Sequence, residues 1–112
     1  MSGPWPSGPV DLRDQVALVT GGARGIGRAS AVALARAGAD VAVADLLPTA
    51  DAEAAIMATG RRALGLPLDV TDPEAIRRVI GRVVATLGRL DILVTAAGII
   101  HRDSLEETTA AP

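Results

Sequence analysis

From Asp14 onward the chain alternates short apolar runs with longer segments in which apolar residues return at helical spacing. Val16-Ala17-Leu18-Val19-Thr20 is apolar almost throughout and runs into glycines, the pattern of a strand buried on both faces. Arg24 to Ala37 reads as an alanine-rich helix stopped by Gly38. Val41-Ala42-Val43-Ala44 predicts a second strand closed by Asp45, Thr49 to Thr59 a second helix ended by Gly60, and Ala63 to Leu68 a weaker strand interrupted by Gly65 and Pro67. The third helix has the fullest set of local signals. Asp72 can cap it, Pro73 suits its first position, and Glu74 favours the positive end of its dipole. Ile76, Val79, Ile80, Val83, Val84 and Leu87 then form a stripe that must face a sheet, and Gly88 stops the helix. Ile92-Leu93-Val94-Thr95 is the fourth strand.

The resulting order is β-α-β-α-β-α-β with connections too long for hairpins, which predicts parallel strands with right-handed helical crossovers. The fold class is α/β, a three-layer sheet with helices on both faces. The first residues, Met1 to Val10, hold three Pro and two Gly around Trp5, a composition expected of a mobile tail. The expected organisation is a tail over 1–11, one α/β unit over 12–108, and a terminal stretch over 109–112.

Composition narrows the chemistry. The 112 residues are 49% hydrophobic and 21% charged with a net charge of −2, values of a globular domain with no basic footprint for nucleic acid. No apolar run nears the ~20 residues that span a bilayer, so a cytoplasmic protein without a membrane partner is expected. There is no Cys for a disulfide or thiolate, and a single His argues against a multi-histidine metal site. All eleven basic residues are Arg, and Lys, Tyr and Phe are absent. Any reaction needing a Lys or Tyr side chain therefore lies outside these residues.

Thr20-Gly21-Gly22-Ala23-Arg24-Gly25-Ile26-Gly27 stands where the first strand meets the first helix. A glycine turn there lets backbone approach a pyrophosphate, which the free N–H groups and dipole of the helix would hold. A purely structural turn is the competing reading, and the strand-before, helix-after placement favours the anion site. A Walker-type phosphate loop needs a lysine and is excluded. Asp45 closes the next strand, where a carboxylate can accept both ribose hydroxyls of NAD and repel a 2′-phosphate. A loop cap is the simpler role. Arg24 pulls towards NADP, because a guanidinium in the turn could pair with that phosphate. NAD is favoured, with NADP possible.

The glycine turn, Asp69-Val70 after the third strand, and Asp91-Ile92-Leu93-Val94 leading to Ala97-Gly98 together resemble the short-chain dehydrogenase/reductase family over roughly Leu12 to Thr108. The resemblance implies a Rossmann-type fold with strands in the order 3-2-1-4 and hydride transfer between a nicotinamide dinucleotide and a secondary alcohol or ketone. It implies cofactor contacts at Gly21, Gly22, Ala23, Arg24 and Ile26 for pyrophosphate and ribose. Asp45 and Leu46 would flank the ribose, Asp69 and Val70 the adenine, and Ala96 and Gly98 the ribose next to nicotinamide. Thr95-Ala96-Ala97-Gly98 departs from the family's usual Asn-Asn-Ala-Gly. The family's catalytic Ser, Tyr, Lys and Asn fall beyond this sequence. His101, in the loop expected after the fourth strand, would be solvated, as would Arg102, Asp103, Glu106 and Glu107. The segment 99–102 looks somewhat like sugar-acid dehydrogenases and the body like 3-oxoacyl reductases. A non-catalytic dinucleotide-binding or docking module, or an inactive short product, are the alternative classes. The outer edge of the fourth strand is expected to be open and to favour self-association.

Overall fold

The computed structural model describes residues 11–95 and the backbone of residues 98–101, so the proline-rich start and the stretch after His101 lie outside the described residues. The elements run β1 (Val16–Thr20), α1 (Gly25–Arg36), β2 (Asp40–Asp45), α2 (Ala50–Met57), β3 (Ala63–Pro67), α3 (Pro73–Leu87), β4 (Ile92–Thr95) and β5 (Gly98–His101). The sheet order is β3-β2-β1-β4-β5, the first four strands parallel as the pattern requires.

Two faces of one sheet carry two apolar layers. Val16, Leu18, Ala42, Ala44 and Leu66 point to α3 and meet Val79, Val83 and Leu87. Ala17, Val19, Val41 and Val43 point the other way and pack with Ala31 and Ala35 of α1 and Ala52 and Ile56 of α2. Period-2 alternation along β1 and β2 thus serves both layers, which is why these strands are apolar at nearly every position. The alanines of α1 let it lie close to the sheet. Burying the side chains of Leu18, Val19, Val41, Val43 and Val83, none of which is exposed to water, stabilises the fold by roughly 1.5–3 kcal/mol each.

The local signals of α3 are used as expected. The Asp72 carboxylate accepts the Glu74 N–H at 3.0 Å, Pro73 is the first helical residue, and Gly88 ends the helix with φ 93°. Two readings need correction. Val84, placed in the apolar stripe, is exposed, because the stripe is centred on Val79, Val83 and Leu87 and Val84 falls on its rim. Gly65 and Pro67 do not interrupt β3. At Gly65 a Cβ would meet the side-chain ends of Thr49 and Glu53 at the α2 entrance, so glycine leaves those side chains room against the strand. Pro67 is the last residue of an edge strand, where a missing N–H costs little.

The third correction concerns the far edge. Residues 98–101, expected as loop, form β5 antiparallel to β4, with Thr95 opposite Gly98 and Ile92 opposite His101. The two-residue connection permits a hairpin where every earlier connection required a crossover. The β4 edge expected to be open is therefore paired, and His101 stands at the end of a strand. Among the described residues no helix is long and apolar enough to cross a membrane.

Candidate functional site

The C-terminal ends of the parallel strands converge on one edge, the side on which open α/β sheets bind ligands. The turn from β1 to α1 opens there. Gly21 donates its N–H to the carbonyl of Ala44 at 2.8 Å, which fastens the turn to β2. Gly22 and Gly27 face inward. A Cβ on Gly22 would lie 2.8 Å from Cγ1 of Val43, and one on Gly27 would run into the Gly21 carbonyl. Gly21 and Gly25, with φ of 71° and 62°, have nothing within 4 Å of where a Cβ would stand, so the outer side of the turn is open space.

This arrangement leaves the start of α1 without local partners of its own making. Arg24 occupies the N-cap in extended conformation, makes no side-chain cap bond, and no acidic residue stands in the first turn. Helix-start N–H groups without a side-chain acceptor, at the edge of an open turn, suit an anion. The helix dipole acts in the same direction.

Asp45 ends β2 beside the turn. Its Oδ2 accepts the Ala23 N–H at 3.0 Å and its Oδ1 accepts the Leu47 N–H at 3.0 Å. Asp45 and Leu46, with Thr49, Gly65 and Pro67, line an open cavity of about 290 Å³. Asp69 follows β3. Its Oδ1 accepts both the N–H of Thr71 at 2.9 Å and the Thr71 hydroxyl at 2.6 Å, and those bonds hold its carboxyl below the usual carboxylate range. Asp69 therefore closes its own loop through Thr71.

Large apolar side chains stand in water along this edge. Ile26 is 87% exposed, Leu46 73% and Val70 58%. Soluble surfaces tolerate single apolar residues; these follow β1, β2 and β3 in turn, at the edge of the sheet where ligands bind. Arg24 is exposed on the same turn. Ala96 lies outside the described residues, and Gly98 is described only as the first backbone position of β5. The structure thus gathers Gly21, Gly22, Ala23, Arg24 and Ile26 into one turn and ties Asp45 to it. The Ala23 and Leu47 amide contacts were not anticipated from the sequence. The signal for the second was available, since Asp-x-Leu is the i to i+2 spacing of a side chain closing its own turn.

A parallel sheet with a glycine turn opening a helix, and a carboxylate at the end of the following strand, is the nucleotide-binding arrangement of doubly wound α/β proteins. The particular family follows from comparison: the short chain dehydrogenase model matches residues 15–111, and the chain belongs to that family. The cyclohexanol dehydrogenase of Rhodococcus sp. (strain TK6) is 46% identical over 101 residues, covering 78% of this chain and 37% of that protein. Carveol dehydrogenase from Mycobacterium avium, solved in complex with NAD, superposes with a TM-score of 0.73 at 33% identity over 82% of this chain and 38% of that one. A short-chain type dehydrogenase/reductase from Mycobacterium marinum gives a TM-score of 0.71 at 38% identity over 74% and 34%. The chain spans little more than a third of the length of these proteins.

Proposed function

We propose that residues 12–108 form the dinucleotide-binding part of an NAD(P)-dependent oxidoreductase that moves hydride between nicotinamide and a secondary alcohol or ketone. The observation that carries this is the glycine turn. Its inner glycines are packed too closely to bear a side chain, while its outer side and the uncapped start of α1 are open. The residues fit a pyrophosphate: a close backbone approach, N–H donors and a favourable dipole, with no acidic residue in the first turn of α1 to repel it.

When bound, the cofactor supplies the hydride donor or acceptor. The chain supplies the hold. Gly21, Gly22, Ala23, Arg24 and Ile26 would face the pyrophosphate and its ribose, Asp45 and Leu46 the adenosine hydroxyls, Asp69 and Val70 the adenine, and Ala96 and Gly98 the second ribose. A carboxylate has room for about four hydrogen bonds, so Asp45 can keep its two amide donors and accept ribose hydroxyls. A negative charge there disfavours a 2′-phosphate, so NAD is the preferred cofactor. Arg24, exposed on the turn, is the counterweight that admits NADP. No Tyr or Lys is present to move the proton that accompanies hydride, so turnover by these 112 residues alone is not expected.

The test is thermal protection by each dinucleotide. NAD at a hundred times its Kd stabilises by about 2.7 kcal/mol, an easily measured rise in Tm. NAD should protect more than NADP, and Asp45→Ala should narrow the difference. Equal protection of the unaltered chain would remove the preference. Protection by neither would remove the cofactor reading.

A further inference from the structure

The exposed rim of the site explains what a dinucleotide would touch, but one of its contacts faces inward. Ala23 is buried at 6% exposure and precedes α1, so no helical carbonyl accepts its N–H. An amide in that position, shut off from water, must find an acceptor or lose the full worth of its hydration. The acceptor is the Oδ2 of Asp45 at 3.0 Å. One residue earlier along β2, the Ala44 carbonyl takes the Gly21 N–H at 2.8 Å, and one earlier again Val43 packs beneath Gly22. The last three residues of β2 therefore template three positions of the turn, and Asp45 does so through its side chain alone.

We propose that Asp45 is a positioning residue for the glycine turn as well as a ribose acceptor. Its carboxylate fixes the Ala23 amide, and with it the path of the backbone into α1, before any ligand arrives. The same group holds Leu47 through Oδ1 at 3.0 Å, so one side chain joins the phosphate side of the site to the loop that follows β2. Charge-assisted bonds to backbone N–H groups are about twice as strong as neutral ones, which suits a tether. Replacing Asp45 to alter dinucleotide preference would then also loosen the phosphate cradle. The inference rests on the dinucleotide reading only for its consequence in binding. The tether itself stands on the geometry of the turn.

Amide hydrogen exchange and titration with inorganic pyrophosphate, a probe without ribose, separate the two roles. In Asp45→Ala the Ala23 and Leu47 amides should exchange at least about tenfold faster, while those of Leu18 and Val43 report an intact sheet. Asp45→Asn keeps one carbonyl oxygen, so one of the two amides should stay protected and the other should not. Both substitutions remove the same charge, so comparing them cancels its effect on an anion. Pyrophosphate should bind at least about threefold more weakly to Asp45→Ala than to Asp45→Asn. Unchanged exchange at Ala23 in Asp45→Ala overturns the tether; should that variant not fold, unchanged exchange at both Ala23 and Leu47 in Asp45→Asn overturns it, since one oxygen replaces two. Pyrophosphate affinity that does not follow the protection of Ala23 across the two folded variants overturns its part in binding. If the unaltered chain binds no pyrophosphate while Ala23 is released by substitution, the tether stands and the cofactor reading falls.

Discussion

Asp91 and Val16 exchange two hydrogen bonds at the opposite end of the sheet: the Asp91 N–H donates to the Val16 carbonyl at 2.9 Å, and the Asp91 Oδ2 accepts the Val16 N–H at 2.9 Å. Both residues are buried, and Arg89 closes a bidentate pair on the same carboxylate at 2.8 Å to each oxygen. A side chain here continues the ladder one step beyond the point where β1 and β4 pair. Asp91→Ala would leave the Val16 N–H buried without that acceptor, at a cost of about 1–3 kcal/mol. Asp91→Asn keeps an oxygen for Val16 and gives up charge on the Arg89 pair, so it should lose clearly less. Denaturant midpoints measure both. Equal losses in the two variants would mean that the Val16 bond contributes little.

Acid should weaken the fold through Asp40. Burial alone would raise its carboxyl, but it accepts the Arg62 N–H at 3.0 Å and Arg62 Nε at 2.9 Å, with the charges of Arg62 and Arg61 close by. These outweigh burial and hold it below the ordinary carboxylate value. Arg62 also reaches the Leu87 carbonyl at 3.3 Å, so the cluster joins β2, the residue before β3 and the end of α3. A carboxyl lowered in the folded state contributes stability that is complete above its unfolded pKa of about 4 and is lost as pH falls through the folded value. The stability gap between the unaltered chain and Asp40→Asn should therefore be constant near neutrality and shrink below about pH 4. A gap that stays the same down to pH 2.5 would assign the acid sensitivity elsewhere.

Local chemistry was the legible part of this fold. β1, α3 and β4 begin and end where strand runs, the Asp72 cap, Pro73 and Gly88 put them, because each boundary is set by residues next to it. The strand order followed from connection length and the family resemblance. β5 was not legible: residues 98–101 carry too little pattern to outweigh a loop, and they pair because β4 presents an edge two residues away. In the site, the glycine turn was placed by sequence, and so was Asp45 at the strand end. What sequence did not disclose is the inward half of Asp45, since its bond to Ala23 depends on where a turn 22 residues earlier folds back. The bonds of Thr71 to Asp69 lie between the two, as an Asp two residues before Thr is a recognisable side-chain turn.

Gly27 should be the least replaceable residue of the turn. A Cβ there meets the Gly21 carbonyl and carbon, which are backbone and cannot rotate away. Gly27→Ala must push α1 off the turn, costing roughly 1–3 kcal/mol, and should abolish thermal protection by NAD. Gly25→Ala makes a useful contrast. Its φ of 62° strains an alanine, but the methyl would enter open space, so stability should fall by about 1–2 kcal/mol with NAD protection reduced and not lost. Equal loss of protection in both variants would show that close approach is not what the turn needs from glycine.

Pairing by β5 makes a further prediction about association, since the edge of β4 is otherwise a row of free N–H and carbonyl groups. In an antiparallel pair, alternate residues direct their N–H groups at the neighbouring strand. Of Ile99 and Ile100, which stand opposite Val94 and Leu93, only one can donate to β4. Proline at that position removes a ladder bond, while proline at the other removes an N–H that faces away. One of Ile99→Pro and Ile100→Pro should therefore release β5 and raise self-association, measured as sedimentation against concentration, and its neighbour should do so far less. If neither substitution changes the sedimentation profile, β5 does not protect the edge. If both change it equally, disruption is not confined to the ladder, and the edge must be guarded by more than the bonds between these two strands.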